Sequence, residues 1–255
     1  MFNKSLQKSL DSILGRSDSP IVVYSSAWPF FRAFEGSKNY TDILLETLIR
    51  TSGDRSILMP TFTNQKGGYR EGIFDSDNFP SETGILTEEF RKRPDTERTL
   101  SAYFSFAVKG EAQGEVLDLK PDYCYGKGSL YEWMEDSNVT FLMLGTHPSH
   151  CSWIHRLEWL EKNKIKYRIN KRFKGTILRR GIYHKMAETL FVRKFKSDLR
   201  QSFHMLLPYL VKSGMKIETV QGIDLASIKA KDLRGLSKVF KEDPFITIEN
   251  WKEYH

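Results

Sequence analysis

Apolar positions along the chain switch repeatedly between a helical and an extended period. Leu6, Leu10, Ile13 and Leu14 recur at helical spacing and stop at Gly15, and Pro20 introduces an unbroken apolar run at residues 21–24 that predicts a strand. Ile43, Leu44, Leu48 and Ile49 predict a second helix, capped by Asn39 or Thr41 and closed at Gly53. Residues 56–63 predict a second strand; Pro60 lacks a ladder donor, which puts Thr61, Phe62 and Thr63 on a rim outside the sheet. Residues 28–38, rich in aromatics, and residues 64–82, without periodicity, read as loops. A helix comes next at 83–92, ended by Pro94, and residues 98–110 alternate as one strand.

The second half centres on residues 139–161. Val139 to Leu144 is a β-branched and apolar run, Gly145 breaks it, and Pro148 delays the next helix to Ser152, its predicted N-cap. Trp153, Leu157 and Leu160 then share one helical face, while His155, Glu158 and Lys162 share another. A hairpin is predicted around Arg179, Arg180 and Gly181, then a helix at 197–212, a strand at 215–220 and a helix at 225–240 stopped by Asp243-Pro244. Alternating strands and helices with no internal repeat or linker predict an α/β fold in a single domain, residues 1–255.

Chemistry enters at the helix after residue 152. A histidine and a glutamate three residues apart on one helical face can touch, so Glu158 can fix the tautomer of His155 and raise its basicity. That suits a general base at the carboxyl end of a strand, where open α/β sheets build their sites, although the same spacing suits a solvated face. His147, His150, Cys151 and His155 allow a zinc-hydrolase alternative, but His-Pro-Ser-His is not a recurrent ligand pattern. Ser25 and Ser26 come directly after a strand as small hydroxyl residues. Gly126, Lys127, Gly128 and Ser129 form a glycine-flanked loop that offers N–H groups and an ammonium to an anion, without P-loop spacing. Cys124 and Cys151 read as buried thiols.

Charge changes the picture in one place. The formal net charge is +7, and residues 162–187 carry ten Lys and Arg (Lys162, Lys164, Lys166, Arg168, Lys171, Arg172, Lys174, Arg179, Arg180 and Lys185) with no Asp or Glu among them. Helix-turn-helix and RNP signatures are absent from the sequence, so a phosphorylated small molecule is favoured over nucleic acid as the anionic partner. With 40% hydrophobic residues but no apolar run of membrane-spanning length, and an amphipathic amino terminus unlike a signal peptide, a cytoplasmic globular protein is expected. Trp28, Phe30, Phe31 and Phe34 suit a pocket lining, a core or a homodimer interface alike.

Several runs in order along the chain carry a resemblance. ILMPTFT at 57–63, TGILTEEFRKRPDTERT at 83–99, YGKGSLYEWM at 125–134, FLMLGT, IHRLEWL, KYRINKRFKG and VFKEDPF resemble the aminoglycoside 3-N-acetyltransferase family. The resemblance implies an α/β/α sandwich around a mixed central sheet, and transfer of an acetyl or similar short acyl group from acetyl-CoA to an aminosugar amine without a metal. It implies His155 as general base and Glu158 as its orienting carboxylate. It also implies Ser25 and Ser26 against coenzyme A, with Ser105, Lys127, Gly128 and Ser129 as further candidates for that role.

Departures from the family pattern bear on the acceptor. Ser101 and Ala102 stand where a His-Pro is usual, and Ser149, Cys151 and Ser152 stand where an Asp and an Asn-Thr precede the histidine. An acid is lost near the site and a basic segment lies directly after it, so the expected acceptor is an anionic, nucleotide-linked aminosugar of surface-polysaccharide synthesis. The alternatives are an aminoglycoside acceptor, as in antibiotic resistance, or a non-catalytic binding protein on the same fold.

Overall fold

The structure, a computed structural model, describes residues 2–63, 72–194 and 199–250. Its frame is a seven-stranded mixed sheet in the order β4-β5-β2-β1-β6-β10-β9. The strands are β1 (Ile21–Ser25), β2 (Ile57–Pro60), β4 (Thr96–Arg98), β5 (Phe106–Lys109), β6 (Thr140–Leu144), β9 (Lys216–Val220) and β10 (Ile223–Lys229). A three-stranded sheet of β3 (Ile73–Asp75), β7 (Arg168–Arg179) and β8 (Ile182–Arg193) accompanies it. The helices are α1 (Phe2–Leu14), α2 (Trp28–Ala33), α3 (Tyr40–Ser52), α4 (Ile85–Arg91), α5 (Gln113–Val116), α6 (Leu130–Asp136), α7 (Ile154–Leu160), α8 (Leu207–Lys212), α9 (Ala230–Arg234) and α10 (Ser237–Glu242).

β1 pairs in parallel with β2 and β6, and the outer strands join antiparallel. Parallel central strands are buried on both faces, which explains why their sequences are apolar throughout rather than alternating. Alternate side chains feed opposite layers: Ile21, Val23, Met59 and Leu142 pack with Leu6, Leu10, Leu44, Leu48 and Phe90 on one face. Val22, Tyr24, Leu58, Phe141 and Met143 pack with Tyr131, Met134, Trp153, Leu157 and Phe240 on the other. Two apolar layers around one mixed sheet make the expected α/β/α sandwich.

Five local expectations are corrected. Residues 28–33 form α2, because Pro29 lies in its first turn, where its missing N–H is no loss. Pro60 sits inside the ladder opposite Phe106; the strand does end there, as expected, but Thr61 and Thr63 beyond it are buried, their N–H groups bonded to the carbonyls of Ser105 and Tyr103. The single strand at 98–110 is two, β4 and β5, separated by a loop at 99–105. A 3-10 turn at Phe203–Leu206 leads into the short α8 where a longer helix was expected, and residues 197–198 of that stretch lie outside the described residues, as do 64–71 of the 64–82 loop. Residues 223–229 are the strand β10, with α9 and α10 after it, because pairing with β6 and β9 satisfies a backbone whose side-chain spacing also suits a helix. The Arg180-Gly181 turn has φ of 50° and 74°, the left-handed pair that closes a two-residue hairpin.

Candidate active site

The parallel strands β1 and β6 end side by side, and each runs out into a loop instead of more sheet. Ser26 N–H donates to Leu144 O at 3.0 Å, and Gly145 takes φ 66°. A Cβ there would lie 2.5 Å from the Phe30 ring and 2.9 Å from Ser26 O, so only glycine fits. Past this turn the strand ends open into a cleft of about 720 Å³ lined by Ser25, Ser26, Trp28, Glu82, Thr83, Thr146, His147 and His150. The volume lies within the range of small-molecule sites, and the position is the usual one for an open α/β sheet.

α7 begins just beyond. Trp153 and Leu157 are fully buried against the sheet, which fixes the helix and leaves His155 and Glu158 facing β7. Ser152 does not cap it; its hydroxyl joins Tyr24 Oη at 2.9 Å and Tyr131 Oη at 3.0 Å, tying the helix entry to the end of β1. Glu158 is 0% exposed. Tyr167 Oη and Gln201 Nε2 donate to its Oε1 at 2.6 and 2.5 Å; His155 Nδ1 lies 2.6 Å and Arg168 Nε 3.0 Å from its Oε2. Burial pushes its pKa up, but the Arg168 guanidinium, His155 and Tyr167 outweigh that and hold it at about 2.

An ionised Glu158 is the stronger acceptor, so Nδ1 carries the proton and Nε2 holds the lone pair. Nε2 has no hydrogen bond among the described residues, and the side chain keeps 23% of its surface exposed. Burial lowers the His155 pKa from its usual value, and Arg168, whose Nη2 lies 3.1 Å from Nδ1, lowers it further against the pull of Glu158. The ring is wedged between Tyr125 at 6.0 Å and Phe203 at 5.1 Å. A neutral imidazole with one nitrogen anchored on a buried carboxylate is equipped to accept a proton at the other.

Of the other residues singled out from sequence, Ser25 and Ser26 line the cleft. Ser105 is buried away from it, bonded to Thr61 and to Arg98 Nε at 2.9 Å. Gly128 and Ser129 stand at the start of α6, where Gly128 N–H donates to Glu132 Oε2 at 2.6 Å and Ser129 Oγ accepts from Glu132 N–H at 3.1 Å. The Gly128 donor and the Ser129 acceptor are spent on the helix end, and neither these residues nor Lys127 joins the cleft lining. The four residues of the zinc alternative do not converge: His147 stacks on His204 at 3.9 Å, His150 bonds Thr146 and Cys151 is buried with its thiol pushed up to about 12. Among the described residues no three His, Cys, Asp or Glu side chains are grouped for a metal.

Tyr167, Arg168 and Gln201 were not found by sequence reasoning. Tyr167 and Arg168 were hidden in a basic run that looked like one solvated face, and Gln201 comes from a distant segment. Most of that run does face solvent: Lys171, Arg172 and Lys174 are exposed on β7.

The sequence profile of the aminoglycoside 3-N-acetyltransferase family matches residues 26–238. A sequence search of curated proteins finds no match. Among solved structures, AAC-IIIb in binary complex with CoASH superposes with a TM-score of 0.76 at 17% identity, covering 96% of this chain and 97% of that one. AAC(3)-Xa superposes at 0.77 with 14% identity over 95% and 93%. YokD from Bacillus subtilis superposes at 0.72 with 14% identity over 100% and 95%. The likeness to these structures shows a shared fold; the profile match, spanning most of the sequence, shows that the chain belongs to the aminoglycoside 3-N-acetyltransferase family, a family of acyltransferase enzymes.

Proposed function

We propose that this enzyme transfers an acetyl group from acetyl-CoA to a primary amine of an aminosugar of the aminoglycoside kind, with His155 as general base. The observation that carries the reading is the 2.6 Å contact from His155 Nδ1 to a fully buried, ionised Glu158, which leaves Nε2 free. The related AAC-IIIb binds CoASH and AAC-VIa binds sisomicin, in agreement with this pair of substrates.

In the proposed step the amine nitrogen attacks the thioester carbonyl and a C–N bond forms. His155 Nε2 takes the amine proton, and Glu158 stabilises the imidazolium that results. The C–S bond then breaks, and the proton passes from Nε2 to the departing sulfur. The cleft of about 720 Å³ lined by Ser25 and Ser26 supports a reading in which those residues receive the pantetheine arm. No helix among the described residues is long and apolar enough to cross a membrane, and use of acetyl-CoA fits the cytoplasm.

A second acceptor, a nucleotide-linked aminosugar of polysaccharide synthesis, is favoured by one feature: the exposed Lys171, Arg172 and Lys174 on a segment without carboxylates. Acetyl-CoA turnover against aminoglycosides and amino-nucleotide sugars separates the two. Acetylation of aminoglycosides alone removes the second reading, and acetylation of neither removes both. His155→Ala should cut turnover by about 10²-fold or more while acetyl-CoA binding persists, whereas a binding protein would have no turnover to lose.

A further inference from the structure

A second cavity is enclosed by the loop at 99–104, the segment after α5, the start of α6 and strand β8. Its walls are apolar, with Leu100, Phe104, Val116, Leu130, Ile177 and Met186 contributing. One carboxylate interrupts them. Glu188 is 7% exposed; its Oε1 accepts from Ser101 Oγ at 2.8 Å, and its Oε2 has no hydrogen-bond partner. A buried acceptor left unpaired costs on the order of 1–3 kcal/mol, and more when charged, so the missing donor needs a source.

The groups around Glu188 supply none. Ser101 is already used and the Tyr131 hydroxyl is engaged with Ser152 Oγ at 3.0 Å, while Cys124 and Tyr103, protonated because burial raises both, leave Oε2 without a bond. Burial without a cation nearby lifts Glu188 itself to about 7. The cations Lys120 and Lys185 are exposed, so their positive charge sits at the mouth. A space of about 90 Å³ takes about three water molecules at roughly 30 Å³ each, so one end of a small ligand fits inside while its other end stays at the mouth.

We propose that this cavity is a binding site for a small amphoteric molecule with an apolar body, whose ammonium group binds Glu188 and whose anionic group rests between Lys120 and Lys185. An ammonium supplies the donor Oε2 lacks and compensates the buried charge; the anion answers a basic mouth that would repel a simple cation. The site is distinct from the transfer centre and does not depend on acetyl transfer. Fully buried Tyr125 packs against Tyr131 at 4.7 Å and Phe104 at 6.0 Å in the cavity wall, and against His155 at 6.0 Å. Phe191 O accepts from Arg168 Nη1 at 3.0 Å beside His155, and Glu188 lies three residues earlier on β8. At about 3.3 Å per residue that is roughly 10 Å away.

Titration calorimetry at pH 8 with 6-aminohexanoate, hexylamine and hexanoate tests the assignment on the wild-type protein and on Glu188→Gln. 6-Aminohexanoate should bind more tightly than either half-molecule, and Glu188→Gln should weaken it about tenfold while leaving hexanoate unchanged. Equal binding by the variant, or no preference for the amphoteric probe, overturns the proposal. Carboxyl NMR of wild-type protein labelled at glutamate needs no variant: 6-aminohexanoate should shift the titration of Glu188 to lower pH. A Glu188 titration that the probe leaves unmoved means the cavity holds water only and also overturns it.

Discussion

The phenol of Tyr167 donates a 2.6 Å hydrogen bond to Glu158 Oε1, from the residue next to Arg168, which ion-pairs with Oε2. Glu158 holds its charge within the core because the entry to β7 and Gln201 bring donors to both oxygens. Burial and the adjacent carboxylate push the Tyr167 pKa up, so its proton stays on the phenol and donates throughout the working range. Tyr167→Phe should therefore destabilise the fold by about 1–3 kcal/mol in urea unfolding, the cost of an unmade bond to a buried charge. It should also slow turnover with little change in KM. Unchanged stability would mean that the carboxylate does not depend on this donor.

The His155–Glu158 contact predicts a shift in the pH profile. With His155 as the proposed general base, turnover requires its neutral form, so the rate should rise with pH through its pKa, which burial and then Arg168 hold below the usual value. Glu158 opposes that lowering. In Glu158→Gln the opposing charge is gone, so the acid limb of the kcat profile should move to lower pH while the plateau falls by about 10²-fold, the tautomer and imidazolium both having lost their support. A limb that moves upward would show that the carboxylate is not acting on the ring.

How far this arrangement was legible depends on where its parts lie in the sequence. His155 and Glu158 are one helical turn apart, and local spacing was enough to pair them. The burial of Glu158 was not legible, because a polar residue on the face opposite Trp153 and Leu157 normally meets water; here β7 and the segment of Gln201 cover it. β1, β6 and the β7–β8 hairpin were readable because their composition and turn residues agree with their environment. β10 was not: Leu225, Ile228 and Leu233 suit a helix as well as a strand, and sheet pairing with distant strands decides between them. Ser101 could be noted as a departure, but its bond to Glu188 joins residues 87 apart in sequence.

Two buried glutamates predict opposite pH dependences of stability. Glu158 is held at about 2, below its unfolded value, so its contribution is present above about pH 4.5 and is lost as pH falls towards 2. Glu188, raised to about 7, is favourable only while protonated: folded-state stability declines as pH rises from about 4.5 to 7, by about 3 kcal/mol. Glu188→Gln cannot ionise, so it should be more stable than wild type at pH 8 and nearly equal at pH 5. Urea unfolding at the two values checks this; a variant that is weaker at pH 8 would indicate that a cation already neutralises Glu188.

Gly145 joins the sheet to the cleft, and its replacement should affect both. With φ at 66° an alanine is strained wherever it points, and here its Cβ meets Ser26 O at 2.9 Å and the Phe30 ring at 2.5 Å. Phe30 is the fully buried residue of α2 and has no free space to swing into, and Ser26 O belongs to the turn that carries the cleft's serines. The positive φ alone costs about 1–2 kcal/mol, and the contacts add to it. The relief available is a displacement of Ser25 and Ser26, so Gly145→Ala should lower the unfolding midpoint and also raise the KM for acetyl-CoA. Leu157→Ala provides the contrast: it removes a fully buried side chain facing the sheet and should cost about 2–5 kcal/mol. If Gly145→Ala destabilises without changing the KM for acetyl-CoA, the cleft beside Ser25 and Ser26 is not where that substrate binds.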